Sequence, residues 1–230
     1  MKLKKMMLGL TALLAFSANA HNVWLEPTSV QGEYVMKFGH LETETYPKHK
    51  IQSIQILNSQ GKLTALDYEF KHDEFKNGEA YLMPRSDIVF IQFNNGVWSK
   101  LPSGKYVEKT KREEPTAEFS TNPIKLGKAI LKWNEQAFKA HNVTYELIPQ
   151  AKAQAGKPLS ILVLHKGKPV QGIKVGLGED APFNLTNEKG IAEFMPSKGY
   201  NKVWAEFAEK VDNPDYDRRS IEYMLTFDAQ

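Results

Sequence analysis

A histidine stands directly after a run of small residues in Ser17-Ala18-Asn19-Ala20-His21. If the chain is cut after Ala20, His21 carries a free α-amine as well as its imidazole, and the amine nitrogen and Nδ1 can close a chelate ring on one metal ion. The amine titrates near ~7.7 to 8.0 and the imidazole near ~6.5, so both can give up a proton to a transition metal around neutral pH. Nitrogen donors of this kind suit copper, nickel and zinc, and a planar nitrogen set favours Cu(II) or Ni(II). The amino-terminal copper and nickel motif that needs histidine at the third position is excluded, because that position is Val23. A second histidine facing the first would complete a brace. His40 ends the stretch "EYVMKFGH", and the following "LETETYPKH" supplies Glu42, Glu44, Tyr46 and His49. Two histidines and two carboxylates within one short segment form a metal-ligand supply. The candidate ligands are His21, His40, Glu42 and His49, the last from proximity alone.

Each has an ordinary alternative. His21 could follow the cut by accident. His40 shares the parity of Tyr34, Met36 and Phe38, which suits a partly buried, hydrogen-bonded histidine, whereas Glu42 and Glu44 read as solvated loop carboxylates and His49 as a surface residue between Lys48 and Lys50. His72 beside Asp73 and Glu74, His141 at a domain junction and His165 before a turn are weaker candidates. The chain holds no G-x-S-x-G elbow, H-E-x-x-H, Walker loop or G-x-G-x-x-G after a strand, and no cysteine nucleophile, so an enzyme is not expected.

The chemistry at His21 depends on what precedes it. Residues 1–20 have the three parts of a secretory signal: Lys2, Lys4 and Lys5, the apolar run Met6 to Phe16, and Ala18-Asn19-Ala20 at the cut. The apolar run is shorter than the ~20 residues that span a bilayer. Export to the periplasm with cleavage after Ala20 is expected, and with no cysteine for a lipid tether the mature chain should be free of the membrane. The whole chain has 30 basic and 27 acidic residues, but the three charges of the signal are all lysines, so the mature chain is near neutral. That argues against nucleic acid or an anionic membrane as partner, since each calls for a basic patch. The absence of cysteine also removes any disulfide framework, so stability must come from burial.

The elements that must hold these residues read as strands. "EYVMKFGH", "SIQIL", "LDYEFKH" and "SDIVFIQF" alternate or are apolar throughout, with turn signals at Ser59-Gln60-Gly61, Lys76-Asn77-Gly78 and Asn94-Asn95-Gly96. The stretch "KYVEKTKREEPTAE" reads as an exposed connection, and "NPIKLGKAILKW" as either a strand or a short helix, because its periodicity fits both. Beyond His141, "YELIP", "LSILVLH", "IKVGLG", "FNLTNEKGIAEF", "KVWAEF" and "IEYMLTF" are short strands between Gly/Pro/Asn turns, as in immunoglobulin-like or transthyretin-like sandwiches. The expected fold is all-β, with two tandem β-sandwich domains over residues 21–140 and 141–230.

"AHNVWLEP", "FGHLETETY", "NNGVWSKLPSG" and "GKPVQGIKVGLGED…TNEKGIAEFMPSKGYNKVWAEF" together resemble the periplasmic component of bacterial nickel/cobalt uptake systems, the NikK/CbiK-like proteins long classed as a bacterial domain of unknown function. The resemblance covers essentially the whole mature chain. Its most specific parts are the histidine after the signal and the Gly-His-x-Glu stretch; the second half shares a pattern common to many exported sandwiches. It implies a protein that binds Ni(II) or Co(II) and serves the membrane subunits of an energy-coupling-factor (ECF-type) ABC importer, with His21, His40 and Glu42 as ligands and Trp24 flanking them. Two other readings remain open. One is a Cu(II)-binding protein or histidine-brace copper oxidase, although no aromatic stripe suited to a polysaccharide surrounds the histidine. The other is a metal-free exported interaction module.

Overall fold

The computed structural model describes residues 21–40, 42–58 and 60–230. The expected export signal at residues 1–20 lies outside the described residues, as do Leu41 in the candidate-ligand segment and Ser59 in an expected turn.

The described chain is almost entirely strand. In its first half come β1 (Asn22–Pro27), β2 (Tyr34–Gly39), β3 (Thr43–Glu44), β4 (Ile51–Leu57), β5 (Leu63–Ala65), β6 (Glu69–His72), β7 (Gly78–Leu82) and β8 (Ile88–Asn94). There follow β9 (Trp98–Lys100), β10 (Tyr106–Val107) and the long β11 (Phe119–Ile130). The second half holds β12 (Tyr145–Pro149), β13 (Leu159–His165), β14 (Lys168–Pro169), β15 (Lys174–Gly176), β16 (Phe183–Leu185) and β17 (Ile191–Phe194). It ends in two long strands, β18 (Gly199–Lys210) and β19 (Arg218–Ala229). Short 3-10 turns at Lys48–Lys50 and Glu135–Phe138 are the helical segments among the described residues.

These strands form three sheets in layers. A five-stranded sheet runs β1-β2-β7-β6 with β3 on β2, and a four-stranded sheet joins β12, β13, β14 and β17. Between them lies a ten-stranded sheet in the order β16-β15-β18-β19-β11-β8-β4-β5, extended by β9 and β10. The two halves of the chain are thus hydrogen-bonded into one sheet through β11 and β19, which run parallel from Thr121↔Arg218 to Ile130↔Phe227.

The central sheet is covered on both faces, and its sequence shows why. Along β8, Val89, Ile91 and Phe93 enter one core with Val23, Leu25 and Met36 of the five-stranded sheet. The alternate residues Ile88 and Phe90 enter a second core with Leu147, Ile161 and Val163 of the four-stranded sheet. Successive side chains of a strand point to opposite faces, so a strand that feeds two cores must be apolar at nearly every position. "IVFIQF" satisfies that requirement.

The stretch left open between strand and helix is β11. Its two lysines are three positions apart, so they point to opposite faces, and both side chains are wholly buried. Lys125 Nζ donates to Glu222 Oε1 at 2.5 Å. Burial, reinforced by Glu179 and Glu206 against the opposing charge of Lys125, pushes the Glu222 carboxyl up to about 7. Lys128 Nζ donates to Glu146 Oε1 at 2.9 Å, and the same carboxylate accepts from the His141 backbone and lies 2.7 Å from His141 Nδ1. Burial alone would raise the Glu146 carboxyl, but the bonds from His141 and the charge of Lys128 hold it below its ordinary value. His141 therefore spends one ring nitrogen inside the fold.

The turn signals have mixed outcomes. Lys76-Asn77-Gly78 closes the β6–β7 hairpin, and Lys166-Gly167 closes β13–β14. Asn94-Asn95-Gly96 closes no hairpin: β8 and β9 both pair with β11, at successive positions along it. The Asn122 carboxamide of β11 supplies the reason, donating to Asn94 Oδ1 and to the Gly96 carbonyl at 2.8 Å each.

Replacing Glu146 by Gln would leave the Lys128 ammonium buried without a countercharge. Loss of one partner of a buried pair costs about 3–5 kcal/mol, which chemical denaturation of Glu146→Gln at neutral pH should show. Because the folded-state pKa of Glu146 is depressed, its contribution is present above the ordinary value of 4.5 and lost as pH falls below it. The gap between parent and variant should therefore narrow in acid. A variant as stable as the parent at neutral pH would remove the pair from the stabilising interactions.

Candidate metal centre around His21

The strand pairing that places His21 also separates it from His40. β1 pairs antiparallel with β2 from Pro27↔Tyr34 to Asn22↔Gly39, so one further step would set His21 opposite His40. That step is not made. Gly39 adopts φ +152, and a Cβ built there would lie 2.0 Å from the Glu42 carbonyl oxygen. Only glycine allows the chain to turn so closely, and it reverses at once, with His40 N–H donating to that carbonyl at 3.1 Å. His40 is consequently exposed rather than on the core face that its parity suggests.

The same reversal brings Glu44 to His21. β3 returns along β2 with Phe38 opposite Glu44, while Phe38 faces Val23 on its other side. Directly opposed residues of antiparallel strands share a face. Val23, Phe38 and Glu44 thus form one row, and His21, two residues before Val23, shares its parity. The His21 ring lies 4.9 Å from that of Phe38, which stacks on Phe93 at 4.9 Å. His21 Nε2 is 2.9 Å from Glu44 Oε1, with the imidazole 27% exposed. Tyr46 holds the floor: its buried hydroxyl donates to the Met36 carbonyl and accepts from Ala80 N–H. Burial pushes the Tyr46 hydroxyl well above its ordinary pKa, so it is a structural staple rather than a proton donor to the site.

This row opens into a cavity of about 390 Å³ lined by His21, Glu44, Lys50, Trp98 and Glu108, among others. Lys50 Nζ is 2.7 Å from Glu108 and 3.1 Å from the Asn95 carbonyl. Glu108 comes from the charged connection, and Gly96 makes room for it, since a Cβ there would meet Glu108 Oε1 at 2.5 Å. Nothing in the spacing of the sequence pointed to Glu108. Glu44 was legible as a carboxylate near His40, but its partnership with His21 required the register of β3.

The other candidates lie elsewhere. His40 lines a separate cavity of about 540 Å³ with Trp24, Asp180 and Tyr200. Trp24 sits on the opposite side of β1 from His21, packed with Trp204 and Met224 and capped by Lys202 at 3.8 Å. Glu42 and His49 are exposed, and neither lines the His21 cavity. Among the described residues no group of three or more His, Cys, Asp or Glu side chains is gathered to hold a metal ion. The donors available at His21 are therefore its own nitrogens, with Glu44 as the carboxylate in contact.

Residues 18–208 match the model of a bacterial family described as "Domain of unknown function (DUF4198)". The chain belongs to this family. A relative from Haemophilus influenzae, described as "Uncharacterized protein", is 76% identical over the full length of both chains. No solved structure matches this DUF4198 protein. Among the described residues no helix is long and apolar enough to cross a membrane.

Gly39→Ala should disturb the turn that divides the two histidines. The new methyl meets backbone rather than a yielding side chain, so a loss of about 1–3 kcal/mol is expected. It would be read by thermal unfolding, together with altered NMR shifts for His40 and Glu44. An unperturbed variant would show that the turn tolerates a side chain.

Proposed function

We propose that the mature protein is a periplasmic metal-binding protein that takes Ni(II) or Co(II) as cargo and serves the membrane subunits of an ECF-type nickel/cobalt importer. The observation that carries this reading is the state of His21. Its Nε2 is engaged by a carboxylate and its ring packs, tilted, against Phe38. Carboxylates that take one imidazole nitrogen fix the ring and raise the basicity of the other, a frequent arrangement behind metal-binding histidines. Here the other nitrogen is Nδ1, the one that forms a chelate with the α-amine once the chain is cut before His21. Glu44 thus acts as an orienting partner, and the protein supplies two nitrogens to the ion. His40, Glu42 and His49 remain candidates for further ligation only if their segment rearranges when metal binds.

The nickel/cobalt assignment itself rests on the resemblance of the sequence, and His21 supplies the chemistry it needs. Calorimetric titration of correctly processed protein with Ni(II), Co(II), Cu(II) and Zn(II) tests it. Processed protein should bind Ni(II), and Glu44→Gln should weaken binding by about 10-fold or more, as second-layer changes do. Extending the chain by one glycine before His21 should weaken it similarly, because the α-amine becomes a neutral amide that must lose a proton before it can donate. Affinity should also fall as the solution is acidified, because protons compete with the metal for the same nitrogens. If the extended protein binds as tightly as the processed one, the proposed chelate is wrong. Turnover with bound Cu(II) would favour the copper oxidase reading instead.

A further inference from the structure

The face of the central sheet turned away from the His21 site carries a second cavity, of about 440 Å³, which no part of the metal chemistry uses. It is lined by residues of β4, β8, β11 and β19, and by Tyr145 of β12 with Val143 and Thr144 just before it. The strand registers define its floor. Ser53 of β4 pairs with Gln92, Gln92 with Leu126 and Leu126 with Tyr223, while Asn94 pairs with Ile124 and Ile124 with Ile221. One direction of the floor is thus polar and the other apolar. Among the described residues the Ser53 hydroxyl and the Gln55 and Gln92 carboxamides make no side-chain hydrogen bond, so they are available to a ligand in the cavity.

One end is positively charged. Asn122 pairs with Arg219 and Arg219 with Glu209, placing the guanidinium at the rim. Glu209 accepts from the Tyr145 hydroxyl, with His165 Nε2 at 3.5 Å and Arg219 Nη1 at 3.8 Å nearby. Arg219 has one close bond, from Nη2 to the Tyr216 hydroxyl at 3.0 Å, and its Nε–H has no acceptor among the described residues. Lys166 stands beside it in a left-handed turn at φ 51 and has no acidic partner among the described residues. The end therefore carries two cations, Arg219 and Lys166, against the one carboxylate of Glu209 among the residues that line the cavity.

We propose that this cavity binds a small hydroxylated or amino carboxylic acid, with its carboxylate at Arg219 and Lys166 and its polar chain along Ser53, Gln55 and Gln92. The volume lies within the range of small-molecule sites, which commonly combine apolar walls with a few convergent polar groups. The Arg219 side chain is 39% exposed and its Nη1 lies 3.8 Å from Glu209, so the guanidinium gains a charge-assisted bond when a carboxylate arrives at its exposed edge. The amide row supplies both donors and acceptors, which hydroxyl and amino groups can use in turn. A neutral polyol would satisfy the amides but not the cations.

The inference is independent of metal binding at His21, and the experiment keeps the two apart. Metal-free processed protein is titrated calorimetrically with gluconate, citrate and glutamate, and with sorbitol as the neutral counterpart of gluconate. At least one of the three acids should bind with submillimolar affinity, more weakly as salt is raised, and sorbitol should bind far less. Arg219→Gln should weaken the bound acid by about 10-fold or more, and Lys166→Gln, in an exposed turn where folding is safe, by a smaller factor. His21→Ala should leave the affinity unchanged. The proposal is overturned if none of the three acids binds, if sorbitol matches gluconate, if both charge variants bind as the parent does, or if His21→Ala removes the binding.

Discussion

The parallel pairing of β11 with β19 is the constraint on which the architecture depends. It joins strands from both halves of the chain into one sheet, and it does so over ten consecutive residue pairs. A sheet so placed is packed from both sides wherever the two smaller sheets cover it. The two cores are separate clusters of side chains, but alternate residues of β8 contribute to each. A change at one position of this sheet is therefore felt by one core directly and by the other through the backbone.

Burying β11 on both faces also determines where the charges go. Lys125 and Lys128 are carried inside because the strand that bears them is, and each meets a glutamate from a different neighbour: Glu222 on the paired strand, Glu146 on the opposing sheet. Removing a charge from water is costly unless a partner of opposite sign and further hydrogen bonds replace the lost hydration. The contrast between the pairs is physical. Glu146 has His141 as a second donor and is held ionised, whereas Glu222 has Glu179 and Glu206 nearby and its carboxyl is pushed up.

The His21 region is built at the margin of this frame. β1 lies against β11 and β19, which anchors the segment immediately after His21. Val23 and Leu25 enter the core on one side of β1, while Trp24 packs on Trp204 and Met224 on the other. A residue adjoining so firmly held a strand has little freedom, and the contact of its ring with Phe38 removes more. Such preorganisation favours binding, since less conformational entropy is lost when a ligand arrives.

The all-β class was legible in the sequence because alternation and turn residues are local signals, and several hairpins fell where Gly and Asn marked them. The expectation that His21 becomes the first residue rests on residues 1–20, which lie outside the described ones. What the local pattern could not supply was partnership between distant segments. "NPIKLGKAIL" carries two lysines that obscure an otherwise buried strand, and only the countercharges at Glu146 and Glu222, 18 and 97 residues away, make that burial tenable. The parity that put His40 on the core face held up to Phe38 and failed at Gly39, where a backbone conformation open to glycine reversed the chain. That reversal gave His21 a carboxylate in Glu44 and sent His40 to another cavity. Composition and spacing thus determined the class of fold, whereas the neighbours of His21 were decided by strand register, which depends on contacts across the whole sheet.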